Sequence, residues 1–142
     1  MKEIILLLSL LIFSCSSPHI PHEAIPIIPR PNKLESSKGS LVLNGNVKVS
    51  INAEALIPVV ENFRSDIIEY IALSEGDAHD AKIKIEWVPA DHADESYMLQ
   101  TTKEGITVRA NSLAGIHYAL QTLRQLIIFS NSEINKVVLP IL

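Results

Sequence analysis

The residues able to do chemistry fall in a few short clusters. Asp77-Ala78-His79-Asp80 and Asp91-His92-Ala93-Asp94, the latter followed by Glu95, each set carboxylates beside an imidazole. Such groups can ligate a divalent cation or exchange protons as general acid and base. Their composition is also that of solvated turns between periodic segments, and we expect turns and no metal centre. His117 and Tyr118 follow the first turn of a helical stretch, where a histidine is usually packed or exposed. Ser36-Ser37-Lys38-Gly39 lacks the Gly-rich run and the Lys-Ser/Thr ending of a phosphate loop. His19 and His22 lie three apart with no further ligand nearby. Cys15 is the one cysteine, so an intrachain disulfide and a cysteine-rich zinc site are both excluded. The clusters therefore offer no catalytic residue, no metal site and no cofactor site.

These residues must be positioned by a single domain. The chain has 142 residues, with 47% hydrophobic and 20% charged, a globular composition. Twelve Lys and Arg against 16 Asp and Glu give a net charge of −4, which argues against a nucleic-acid partner. Leu41–Leu43 and Val47–Ile51 flank Asn44-Gly45-Asn46, so two short strands or one bent strand are expected there. Leu56, Val60, Phe63, Ile67 and Ile71 recur at helical steps, and the spacing predicts a helix from about Ala55 to Leu73. Pro58 must sit in its first turn, and Gly76 reads as its C-cap. Lys82–Val88 alternates as a strand with Ile83, Ile85 and Trp87 on one face. Tyr97–Thr102 and Ile106–Ala110 bracket Lys103-Glu104-Gly105 as a hairpin, with Gly105 supplying the bend.

Ser112 has the side chain to cap a second helix running to about Phe129. Ile116, Leu120, Leu123 and Ile127 make its buried stripe. Gly115 permits close approach of another backbone, and Ala114 and Ala119 are small for the same reason. Gln121 and Gln125 lie four apart on one flank, where they can touch a neighbouring domain. Val137–Leu139 starts a last extended segment. Alternating strands and one-faced helices imply an α+β fold: a small mixed, mostly antiparallel sheet with two helices packed on one face.

The N-terminus reads as an address. Lys2 precedes an apolar run from Ile4 to Phe13 that is too short to span a membrane and fits a secretory signal. Its ending, Ile12-Phe13-Ser14-Cys15, is similar to a bacterial lipoprotein signal, with residues 1–14 removed and Cys15 lipidated. Several acyl chains would anchor the protein stably to a bacterial membrane, on its periplasmic or cell-surface face. Residues 15–26 form a proline-rich tether, and the domain occupies residues 27–142. Ile27-Ile28-Pro29-Arg30-Pro31 is expected to be its first ordered segment.

Three segments carry a family resemblance: Ile28–Glu35, Glu95–Leu99, and Gly105–Leu126 with its Gln121-Thr122-Leu123-Arg124-Gln125 run. In order and spacing they resemble the N-terminal accessory domain of family 20 glycoside hydrolases, the β-N-acetylhexosaminidases. The resemblance implies a (β/α)₈ barrel following the domain, and substrate-assisted cleavage in which the sugar's acetamido oxygen is the nucleophile. The barrel's aspartate-glutamate pair has no counterpart here, so the chain alone is expected to be inactive, a fragment lacking its barrel. Gln121 and Gln125 become candidate barrel-facing contacts. The implied function is support of an enzyme that removes terminal non-reducing N-acetylhexosamine from glycans, with glycan meeting this chain only through the parent enzyme. Two alternatives stand beside it: a surface lipoprotein that binds glycan or protein without hydrolysis, and an accessory domain of another barrel glycosidase.

Overall fold

The computed structural model describes residues 25–92, 94–133 and 135–142. The expected signal, Cys15, and all of the tether before Ile25 lie outside the described residues. Among the described residues, eight strands and two α-helices follow in the order β1 (Ser37–Asn44), β2 (Asn46–Ile51), α1 (Ile57–Ile67), β3 (Ala72–Glu75), β4 (Ile83–Trp87), β5 (Tyr97–Thr101), β6 (Ile106–Ala110), α2 (Leu113–Ser130), β7 (Asn131–Glu133) and β8 (Lys136–Ile141), with one 3-10 turn at Glu54–Leu56 leading into α1.

The fold is α+β with mixed pairing, as expected, but the strands divide between two sheets. The larger has the order β3-β2-β4-β6-β5 and the smaller the order β1-β8-β7. Parallel pairs join β2 to β3, β2 to β4 and β4 to β6, while β5 closes the larger sheet antiparallel to β6. The smaller sheet is antiparallel throughout. The parallel pairs follow from connectivity. Returning to the same sheet through α1, or through the long β4–β6 excursion, needs a crossover, whereas the short turn after Thr101 permits only a hairpin.

The Asn44-Gly45-Asn46 signal resolves as a break between two strands, β1 and β2, that belong to different sheets. Gly45 (φ +63°) donates its N–H to Asn135 O at 3.1 Å and redirects the chain from one sheet to the other. The first helix ends sooner than its apolar spacing suggested. Ile67 O accepts from both Tyr70 N and Ile71 N, which closes the helix, and Ala72–Glu75 then pairs with Asn46–Val49. Ile71 and Leu73 are both buried and satisfy a two-residue period as well as a helical one. Gly76 accordingly ends a strand, donating to Val49 O, and does not cap α1. Pro58 does occupy the first turn of α1.

Only one face of the larger sheet is covered. Val47, Val49, Ile83, Ile85, Ile106 and Val108 turn inward and are buried. Lys48, Lys84, Glu86 and Arg109 occupy the opposite positions, where Arg109 pairs with Glu86. The helices lie side by side over the apolar face, α1 against β3 and α2 across β5 and β6, with α2 also reaching β8. Phe63, Ile67, Ile116, Leu120, Leu123 and Ile127 fill the space between and join Leu41, Leu43, Val137 and Leu139 in one core. Each such side chain contributes about 1.5–3 kcal/mol on burial.

Candidate functional site

The two acid-histidine clusters cannot act together. Asp77–Asp80 forms the turn before β4, and Asp91–Asp94 belongs to the loop after it. At about 3.3 Å per residue, the length of β4 holds them roughly 13 Å or more apart, at opposite ends of one strand. Asp80 is committed to an ion pair with Lys48, which holds its carboxyl below the usual range and raises the Lys48 ammonium. Asp94 Oδ1 accepts from the hydroxyl and the N–H of Ser96, at 2.5 and 2.9 Å, and these bonds likewise lower its pKa. His117 is exposed on α2, its ring set edge-on to Tyr118 at 5.9 Å. Among the described residues no group of three His, Cys, Asp or Glu side chains could hold a metal ion.

In open sheets with parallel strands, the crevice beyond the carboxyl ends of the strands is the usual place for a ligand. Here polar side chains of the domain itself occupy it. Asn52 brackets the Trp87 backbone, accepting from its N–H and donating to its C=O at 2.9 Å each. The Trp87 indole donates to Asn111 O at 3.1 Å, and Asn111 Oδ1 accepts from Asp94 N at 3.1 Å. Ser112 caps α2 as expected, its hydroxyl accepting from Gly115 N at 3.0 Å. Gly115 is a close-approach position: a Cβ there would lie 2.6 Å from Ser96 O and 2.8 Å from the Ala110 Cβ. Ala119 is fully buried, but Ala114 faces solvent, so its small size answers no packing need within the domain. Gly105 serves approach more than bend, since a Cβ would meet Lys82 O at 2.4 Å.

Two surfaces stand out among the described residues. The first is the outward flank of α2, where Tyr118, Gln121, Gln125 and Phe129 recur at helical steps. Phe129 is 63% exposed and Tyr118 45%. Gln125 is occupied within the domain: its Oε1 accepts from Ile28 N at 2.8 Å and its Nε2 donates to Ile28 O at 2.9 Å. This amide clamp, with Ile27 buried beside it, is why the Ile27–Pro31 segment is ordered, and it leaves the Ile28 side chain 79% exposed next to the same flank. Gln121 lies one turn earlier, half-buried. Sequence reasoning placed both glutamines on one flank of α2 but missed the clamp, because nothing in their spacing points to a partner 97 positions away.

The second surface is a groove of about 780 Å³ between the Ile27–Glu35 segment and β5. Pro29, Pro31 and Leu34 line one wall, and Tyr97, Leu99 and Leu142 the other. The Tyr97 hydroxyl is hydrogen-bonded to Thr122 Oγ1 at 2.7 Å, which ties this edge of the sheet to α2.

The chain matches the family described as glycosyl hydrolase family 20, domain 2, over residues 24–139. It is 29% identical over 128 residues to a β-hexosaminidase of Porphyromonas gingivalis, covering 83% of this chain and 16% of that protein. Its fold is similar to that of an exo-β-N-acetylglucosaminidase from Vibrio harveyi, with a TM-score of 0.72 at 22% identity, covering 87% of this chain and 20% of that one. A β-N-acetylhexosaminidase from Bacteroides fragilis gives a TM-score of 0.65 at 23% identity, over 82% of this chain and 23% of that one. The chain thus spans about a fifth of the length of these relatives. It belongs to glycosyl hydrolase family 20, as its domain 2.

Proposed function

We propose that this chain is the non-catalytic supporting domain of a β-N-acetylhexosaminidase, an enzyme that hydrolyses terminal non-reducing N-acetylhexosamine from glycans. The observation that carries the reading is the pairing of two features. Among the described residues the acids and histidines are dispersed or consumed in structural bonds, while a helix flank presents Tyr118, Phe129 and the clamped Ile28 outward. Isolated apolar side chains on a surface are ordinary, but aromatic residues at helical spacing beside a fixed isoleucine suit a packed interface. The partner for that flank is the catalytic barrel, and Gln121 is the polar contact within it.

The test is a chimaera in which residues 27–142 replace the matching region of the P. gingivalis β-hexosaminidase. The chimaera should cleave a chromogenic N-acetylglucosaminide, and the isolated chain should not. Y118E with F129E should strip activity from the chimaera while leaving the isolated domain folded, as read by circular dichroism. An unaffected double variant would refute the assignment of this flank. Turnover by the isolated chain, abolished on mutating one of its own acids, would refute the non-catalytic role.

The same reading includes export and lipid anchoring through Cys15. Cells expressing the full chain should incorporate labelled palmitate into it, and C15S should not. Equal labelling of both would discard the anchor.

A further inference from the structure

The other helix carries a stripe of its own. On α1, Ile57, Glu61, Arg64 and Ile68 recur at steps of four, three and four, which sets them along one side of a helix. Ile68 follows the last residue of α1 but keeps helical backbone, with φ −57° and ψ −29°, so the stripe is unbroken. Both isoleucines are exposed, Ile57 at 48% and Ile68 at 54%. Between them Arg64 Nη1 pairs with Glu61 Oε1 at 3.1 Å. That is light use of a guanidinium's fork of donors, and Arg64 Nε is buried without a hydrogen-bond partner among the described residues. Two residues turn a helix by about 200°, so Asp66 lies across α1 from Arg64. Asp66 reaches Arg124 of α2 at 3.5 Å, and the stripe therefore faces away from α2. Its order is symmetrical: apolar, acidic, basic, apolar. Ile57 and Ile68 are equally far from the midpoint between Asn62 and Phe63, and so are Glu61 and Arg64.

We propose that this stripe takes a second copy of the chain, with the two α1 helices antiparallel about a two-fold axis. A two-fold contact needs a self-complementary patch, in which one residue meets a second and the second meets the first. The symmetry of the stripe supplies it. Ile57 meets the partner's Ile68 and Ile68 meets the partner's Ile57. Glu61 meets the partner's Arg64, and Arg64 meets the partner's Glu61. Each guanidinium then lies between two carboxylates, and the isoleucines close both ends of the charged centre to water. Other arrangements are disfavoured by the same residues. Parallel helices would set Glu61 on the partner's Glu61 and Arg64 on the partner's Arg64, and an antiparallel slip of one turn would set an isoleucine on a charge. The patch is small against the roughly 20–30 residues a side of a standard interface, so the dissociation constant should be on the order of 100 µM. Arg124 marks the side of α2 nearest α1, and Tyr118 and Phe129 lie about 120° and 140° further round that helix. Pairing through α1 thus leaves the flank assigned above uncovered, and the contact is independent of the enzyme reading.

The test is sedimentation equilibrium of the full chain carrying C15S, so that its one cysteine cannot link copies. Between about 5 and 500 µM the protein should pass from monomer to dimer. E61R and R64E each set like charges opposite one another and should weaken dimerisation by about tenfold or more. The E61R/R64E double variant restores opposite charges both along the helix and across the contact, and it should dimerise as the parent does. Circular dichroism should be unchanged in all three variants. A parent that stays monomeric at about 500 µM overturns the proposal. So does dimerisation indifferent to the single reversals, which would put the contact elsewhere on the chain. A double variant that fails to regain association overturns it as well, because the antiparallel register requires the exchange to be neutral.

Discussion

Replacing Gly115 by alanine separates two opposed effects by sign. Considered as a helix residue, alanine in place of glycine stabilises by about 1 kcal/mol. Considered in its packing, the new Cβ sits 2.6 Å from Ser96 O and 2.8 Å from the Ala110 Cβ, and neither neighbour is a flexible side-chain end. Ser96 is held by Asp94, and Ala110 is paired on both sides, to Trp87 and to Tyr97. Relief therefore requires moving the N-terminus of α2 off the sheet, an overpacking that costs about 3 kcal/mol, toward the upper end for such changes. The net is a loss of about 2 kcal/mol, or about 8 °C in Tm for a domain of this size. Urea denaturation followed by circular dichroism measures it, with A114G, at an exposed position of the same helix turn, as a control for propensity alone. A G115A protein as stable as the parent, or more so, would show that the close approach carries no energetic weight and would refute the packing argument.

Three further outcomes follow from the same geometry. Q125A removes both bonds to Ile28 and should cost about 1–3 kcal/mol, with tryptic cleavage after Lys33 accelerating before the core unfolds. L123A empties a fully buried position and should cost about 2–5 kcal/mol, read as a lower urea midpoint at unchanged slope. Asp94 has a folded pKa below its ordinary value of 3.8, so its contribution is complete above that value and is lost as pH falls through the depressed one. The Ser96 amide resonance should therefore titrate below the usual carboxylate range and stop titrating there in D94N.

The elements that sequence made legible are those in which one period dominates. Lys82–Val88 alternates without interruption and contains β4, and the second apolar stripe at helical steps is α2, cap included. Ile71-Ala72-Leu73 serves either period, so only the chance to pair Leu73 with Val47 decides for a strand. The split into two sheets was not legible, because Asn44-Gly45-Asn46 specifies a sharp change of direction and not the partners on either side of it. Those partners are Leu139 and Val137 on one side and Leu73 and Ile83 on the other, all remote in sequence. The clamp between Gln125 and Ile28 was hidden for the same reason. The polar clusters were correctly read as turns from composition, but their separation by the length of β4 is a property of topology.

The placement of polar groups argues for how such a domain works. A sheet with parallel strands has a natural ligand crevice at the carboxyl ends of those strands, and in this chain Asn52, Trp87, Asn111, Asp94 and Ser112 consume it in mutual bonds. That network fixes the start of α2 to the ends of β4 and β6, and Gly115 lets the two approach closely. The second half of α2 is tied by Thr122 to Tyr97 and, one turn on, by Gln125 to the incoming chain. A helix restrained at its start and again in its second half has little freedom to rearrange, which is costly for a moving lid and favourable for a surface that presents Tyr118, Gln121 and Phe129 in one geometry. On the proposed reading, the restraint around α2 serves the partner of its outer flank, and the part of the domain is positioning.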